Sequence, residues 1–134
     1  MILVDTSAWV EFLRASGHPV HLTLRHHLAQ QSPIVTTEVV IMEVLAGTRS
    51  RREYNSLRNR LTAFPQLTLR GLSDFEHAAE LYRLCREKGV TVRKLIDCLI
   101  AAVAIRAGAS VLHNDRDFDG ISHCTKLRME SLVL

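Results

Sequence analysis

From Leu95 to Ile105 the chain reads Leu-Ile-Asp-Cys-Leu-Ile-Ala-Ala-Val-Ala-Ile, apolar on nearly every side of a helix, with one acid, Asp97, inside it. An amphipathic helix can lie on a surface, but one without a polar face has to be buried. The pattern predicts a buried helix over about 94–107, closed by Gly108. Any fold for this chain must surround that segment and account for its carboxylate.

The rest of the chain supplies the surroundings. Ile2-Leu3-Val4, Ile34-Val35-Thr36, Leu67-Thr68-Leu69 and Ser110-Val111-Leu112 are short apolar runs that read as strands, and the tail over 126–134 has room for one more. Helix signals fall between them. Asp5-Thr6-Ser7 offers caps for a helix through about Leu13 that ends near Gly17 and Pro19, and 21–31 reads as a second helix. Thr37 is placed to cap a helix to Leu45 with Gly47 as its stop, and Tyr54, Leu57, Leu61 and Phe64 recur at helical spacing before Pro65. Ser73-Asp74-Phe75-Glu76 has the form of a capping box, opening a helix to Lys88 with Gly89 after it. Strands alternating with helices imply βαβ units. The expected fold class is therefore α/β, one domain over 1–134, with a central, mainly parallel sheet of four to five short strands and helices on both faces. In such sheets ligands sit beyond the carboxyl ends of the strands.

Composition narrows the class further. With 134 residues, 47% hydrophobic and 23% charged, the chain has enough apolar surface for one core and is not disordered. Cys85, Cys98 and Cys124 are too few for a disulfide scaffold and suit a reducing compartment. No apolar run approaches the ~18 residues that span a bilayer, and Met-Ile-Leu-Val ahead of Asp5 has neither a basic leader nor a cleavage site. The expected location is the cytoplasm, with no membrane contact. The net charge is +3, yet Arg49, Arg51, Arg52, Arg58 and Arg60 crowd one stretch against a single acid, Glu53. That run reads either as a solvated helix face or as a phosphate-binding stripe, and composition does not choose.

The acids carry more information. Asp5 directly follows the first strand, and Asp115 follows Val111-Leu112 after the His113-Asn114 step, so both belong at the carboxyl edge of the sheet. Glu43 lies in a helical segment among Val39, Val40, Val44 and Leu45, and Asp97 lies in the buried helix. A buried, unpaired carboxylate costs several kcal/mol or takes up a proton. Each acid has a structural explanation by itself: Asp5 as a helix cap, for example, or Asp97 paired with Arg93 or Lys94. Convergence of all four on one divalent cation explains them together, and oxygen donors select Mg²⁺ or Mn²⁺. A zinc site built on His21, His26 and His27 lacks a fourth ligand, so these read as a surface face.

Asp5-Thr6-Ser7 after an opening strand, Glu43 in Val-Val-Ile-Met-Glu-Val-Leu-Ala-Gly, Asp97 in Asp-Cys-Leu-Ile-Ala-Ala-Val-Ala, and Asp115-Arg116-Asp117-Phe118 resemble the PIN-domain family, most closely its VapC branch of toxin–antitoxin toxins. The resemblance covers essentially the whole chain. It implies a metal-dependent endoribonuclease in which the acids matching Asp5, Glu43, Asp97 and Asp115 are catalytic and gather around one or two Mg²⁺ or Mn²⁺ ions. The position matching Asp117 sometimes joins them, and those matching Thr6 or Ser7 hydrogen-bond within the site. The expected substrate is RNA, cut to leave a 5′-phosphate and a 3′-hydroxyl. The expected partners are a VapB-like antitoxin and a second copy of the chain, within a toxin–antitoxin hetero-oligomer. The same resemblance makes Arg49, Arg51, Arg52, Arg58 and Arg60 candidate contacts for RNA or antitoxin. His113 departs from the Thr or Ser common in relatives two residues before the fourth acid; its expected part is to orient a neighbour rather than to carry the proton. Trp9 reads as core rather than as a stacking platform.

Two other readings stand beside the toxin. One is a PIN nuclease of RNA processing or decay that has no antitoxin. The other is a non-enzymatic receiver-like module, which needs an acidic pair after the first strand and a lysine after a late one. Here Thr6-Ser7 follows Asp5, and no lysine sits near Val111-Leu112.

Overall fold

In the computed structural model, which describes residues 1–133, strand β1 (Ile2–Val4) leads through helices α1 (Thr6–Leu13) and α2 (Pro19–Ala29) to β2 (Ile34–Val35). Helices α3 (Glu38–Ala46), α4 (Arg51–Thr62), α5 (Leu72–Glu87) and α6 (Leu95–Ala107) follow, then β3 (Ser110–Leu112), α7 (Arg116–Cys124) and β4 (Arg128–Met129). Leu134, the last residue of the expected domain, lies outside the described residues. The sheet order is β2-β1-β3-β4 and every pairing is parallel. Val4 lies level with Leu112, so β1 and β3 end side by side.

Successive strand residues point to opposite faces, and Leu3 and Val4 are both fully buried, so β1 is covered on both sides. Helices α1 to α4 pack among themselves, and α5 to α7 form a second group. In α6, every residue from Asp97 to Ala104 is buried, which makes that helix the centre of its layer, as its apolar circumference demands. Gly108 ends it in the left-handed conformation, φ 70°, where a side chain would be strained.

Several expected elements differ. Leu67-Thr68-Leu69 is not a strand. Only an isolated bridge, Thr36 to Gln66, joins this segment to the sheet. Beyond it side chains claim the backbone: Glu38 accepts from the Leu69 amide, and Arg106 donates to the Thr68 carbonyl at 2.9 Å. The capping box does not form either. Gly71 occupies the N-cap of α5 at φ 62°, and the Ser73 hydroxyl donates to the Arg70 carbonyl instead. Asp74 turns inward, accepts the Arg70 amide at 2.7 Å and pairs with Arg106 at 3.0 Å. Helix α2 begins at Pro19, which starts that helix rather than merely closing the turn before it. Thr37 makes no side-chain cap bond to α3, and Gly47 ends that helix at φ −83°, without a left-handed turn. Helix α7 is an addition that the reading of the sequence did not include.

Candidate metal centre

The level ends of β1 and β3 set the geometry. The Asp5 amide donates to the Leu112 carbonyl at 2.9 Å, which fixes Asp5 at the carboxyl edge. Asp5 then caps α1: its Oδ2 accepts from the Ser7 amide at 3.0 Å and from the Ser7 hydroxyl at 2.6 Å. The same hydroxyl accepts from the Asn114 amide at 2.8 Å, so one serine ties the turn after β1 to the turn after β3. Thr6 reaches across to α3 and donates to Glu43 Oε1 at 2.8 Å. Asp97 sits in the first turn of α6, only 2% exposed. Asp115 caps α7, with its Oδ1 accepting from the Asp117 amide at 2.9 Å.

Asp117 has a different task. Its two oxygens accept the backbone amides of Arg93 and Lys94, at 3.0 and 2.9 Å, which pins the turn leading into α6 and thereby sets Asp97. One oxygen each from Asp97, Asp115 and Asp117 lie within 4.8 Å of one another. Asp5 and Glu43 stand close enough for their charges to be felt in the group.

Crowding of like charges under apolar cover shows in the proton affinities. Burial, then a hydrogen bond with Asp117 and the charge of Asp5, pushes the Asp97 carboxyl up to about 8. Burial also raises Asp5, against the hydrogen bonds from Ser7. Glu43 is raised by burial and by the charges of Asp5 and Asp115, with Thr6 opposing. For Asp115 burial pulls upward, but the Lys94 ammonium and the Asp117 amide prevail and hold it low. Asp117 is likewise held low against burial, by the amides of Arg93 and Lys94 and by its bond with Asp97. The Lys94 ammonium lies 2.6 Å from Asp115 Oδ2 and 3.7 Å from Asp97 Oδ2, while Arg93 lies 3.5 Å from Asp115 and 3.6 Å from Asp117.

Two buried oxygens, Asp5 Oδ1 and Asp97 Oδ2, have no hydrogen-bond donor. Orphaned carboxylate oxygens under cover are costly unless a cation meets them. An all-oxygen donor set with two such atoms fits a hard divalent ion of the Mg²⁺ or Mn²⁺ type.

The structure therefore brings together Asp5, Glu43, Asp97, Asp115 and Asp117, with Thr6 and Ser7 as their hydrogen-bonding supports. His113 stands beside them. Its Nδ1 accepts from the Asp115 amide at 3.1 Å, its Nε2 lies 3.0 Å from the Met129 sulfur, and its ring packs on Phe118. The basic stretch is separate from this group. Arg49, Arg51, Arg52, Arg58 and Arg60 are all exposed, and among the described residues none of them forms an ion pair. Arg51 lies over the Tyr54 ring at 4.7 Å. Trp9 is buried between Phe12 and Phe64. His21 is buried rather than surface-facing and accepts the Gly17 amide, whereas His27 pairs with Glu130 at 3.5 Å. What the reading of the sequence missed is the pinning role of Asp117 and the whole of α7. A signal for α7 was present: an acid cap at Asp115 followed by Phe118, Ile121 and Cys124 at a spacing of three.

Residues 2–123 match the model of the PIN domain family. The chain is 42% identical over 132 residues to the VapC ribonuclease Mb1587 of Mycobacterium bovis, covering 98% of both chains. It is equally similar to ribonuclease VapC11 of Mycobacterium tuberculosis, with the same identity and coverage. Among solved structures, VapBC2 of Rickettsia felis, bound to a DNA fragment from its promoter, contains a chain of the same fold. That chain has a TM-score of 0.70 and 18% identity, with 97% of this chain and 98% of the other covered.

Proposed function

Since this chain belongs to the PIN-domain family, as a VapC-type member of it, we propose that it is a toxin endoribonuclease that hydrolyses RNA with a Mg²⁺ or Mn²⁺ ion held by Asp5, Asp97 and Asp115. The observation that carries this reading is the gathering of Asp97, Asp115 and Asp117 at the carboxyl edge, with Asp5 and Glu43 near enough for their charges to be felt and with Asp5 and Asp97 each keeping a buried oxygen that lacks a donor. An ion held there would supply a water of lowered pKa and offset charge on the phosphodiester. The chain's own residues prepare that chemistry. Ser7 fixes one oxygen of Asp5 and leaves the other for a ligand bond. Asp115 is held ionised, and Asp97 would serve as a ligand in its deprotonated form. Glu43, half-buried and tethered through Thr6, closes the α3 side of the group.

The partners follow from the same family. A VapB-like antitoxin is expected to hold the enzyme in check. A cavity of about 300 Å³ beside α1 and α4, lined by Trp9, Leu13, Leu57, Arg60 and Phe64, offers it an apolar seat within reach of the arginine stretch. Leu72, Phe75 and Leu95 expose a second apolar face on α5 and α6, which suits a homodimer. Among the described residues no helix is long and apolar enough to cross a membrane, and the proposed site of action is the cytoplasm, where RNA is translated.

The deciding experiment is cleavage of a panel of cellular RNAs by the purified chain with Mg²⁺ or Mn²⁺, with EDTA, and with the Asp97→Asn variant. Cutting that needs the ion and is lost in the variant is the expected result. Cutting that survives EDTA and the substitution would overturn the metal reading.

A further inference from the structure

Among the described residues the acid group is ion-paired with two cations, and these are not equivalent. Arg93 is ranged along Asp115 and Asp117 at 3.5 and 3.6 Å. Lys94 goes further in. Its ammonium bridges Asp115 at 2.6 Å and Asp97 at 3.7 Å, and its charge also bears on Asp5 and Glu43. One amine thus contacts acids of α6 and of the turn after β3, and its charge reaches those at the end of β1 and on α3. Its backbone is fixed, because the Lys94 amide donates to Asp117 and the residue is the N-cap of α6. Its side chain is not enclosed, being 52% exposed. An anchored backbone with a free stem describes a charge that can leave without disturbing the fold.

We propose that the Lys94 ammonium is a built-in stand-in for the divalent ion: it holds the acid cluster together while the ion is absent, and the ion must displace it to bind. The proposal rests on the metal reading above. Two features of the site support it. The ammonium already lies against Asp97 and Asp115, two of the three proposed ligands, and a divalent ion within about 4 Å of it would be strongly repelled. In addition, the ammonium does not fully satisfy the cluster. Asp5 Oδ1 is left without a donor, and Asp97 Oδ2 has only the long contact to Lys94, so an ion of higher charge and coordination number gains contacts that the lysine does not make. Lysine suits this part better than arginine, since a compact ammonium on a flexible stem withdraws more readily than a planar fork held by paired bonds.

The test compares wild type with Lys94→Met and Arg93→Met, using Mn²⁺ as the probe. Free ion is followed by electron paramagnetic resonance under mildly alkaline, oxygen-free conditions, and thermal unfolding is followed in EDTA. Lys94→Met is expected to bind Mn²⁺ about tenfold more tightly than wild type, since the competing charge is gone. It is also expected to unfold at a lower temperature in EDTA, since the acids lose their counter-ion. Arg93→Met should tighten binding much less. Unchanged or weaker Mn²⁺ binding in folded Lys94→Met overturns the proposal, as does an equal gain in Arg93→Met, which would reduce the effect to net charge. Mn²⁺ binding by wild type that is lost in Asp97→Asn checks the metal reading separately. If neither wild type nor Lys94→Met binds the ion, the metal reading falls and takes this proposal with it.

Discussion

A carboxyl that keeps its proton to about pH 8 in the folded chain, against a usual value near 3.8, binds more protons folded than unfolded throughout that window. The metal-free protein therefore loses stability as pH rises from about 4 to about 8, with the raised Asp5 and Glu43 acting in the same direction as Asp97. Asp97→Asn removes the charge and should stabilise the metal-free chain by about 1–3 kcal/mol in mildly alkaline buffer. The gain should vanish below about pH 4, where wild type is protonated too. Urea titrations in EDTA across that range check it, and a gain independent of pH would show that relief of charge is not its origin. At this scale the sequence was informative for a definite reason. An acid among Val39, Val40 and Val44, or inside Leu95 to Ile105, conflicts with its neighbours, and that conflict can be seen without coordinates. Asp117 gave no such signal, because its partners are backbone amides more than twenty residues away. Backbone amides leave no trace in residue type.

Among elements, α5 shows how a local motif yields to a distant charge. Ser73 and Glu76 have the right spacing to cap each other, but Asp74 lies between them and Arg106 stands on α6. Asp74 is 2% exposed, and although burial opposes ionisation, Arg106 and the Arg70 amide hold it low. Breaking a buried pair from one side strands the other charge, so Arg106→Ala should cost about 3 kcal/mol. Ser73→Ala should change stability by less than about 0.5 kcal/mol, where a working cap would have cost about 1. Chemical denaturation of the two variants distinguishes the two descriptions of this helix start. The mistaken strand at Leu67–Leu69 has a related origin. Its alternation was right for a strand, but Glu38 and Arg106 take the backbone groups that a ladder would need. Apolar pattern identifies which segments want cover; it does not tell which donors compete for their backbone.

For the molecule as a whole, the α/β class, the parallel sheet and its two covered faces appear as expected, although the strand at Leu67–Leu69 is missing and α7 is added, because buried β1 and an α6 without a polar side leave few other arrangements. The faces left uncovered are less legible, since exposure depends on what the chain meets. Leu72 is 73% exposed, Leu95 57% and Phe75 52%, so α5 and the start of α6 present exposed apolar side chains. If two copies meet there, Leu95→Glu should convert a dimer to a monomer in light scattering and leave the fold intact by circular dichroism. A dimer that persists in the variant would place the contact elsewhere.

The serine that joins the two strand ends also has a bearing on synthesis. Ser7 and Asn114 are 107 residues apart, and β1 lacks its β3 neighbour until the late portion that carries Ser110–Leu112 has been made. Of the three proposed ion ligands, Asp115 also belongs to that late portion of the polypeptide, and Asp97 follows Asp5 by 92 residues. A partly translated chain thus has its first acid but neither the strand nor the turn that would complete the site. For an enzyme proposed to destroy RNA, this order of assembly keeps the nascent chain harmless to the message and the ribosome that are producing it.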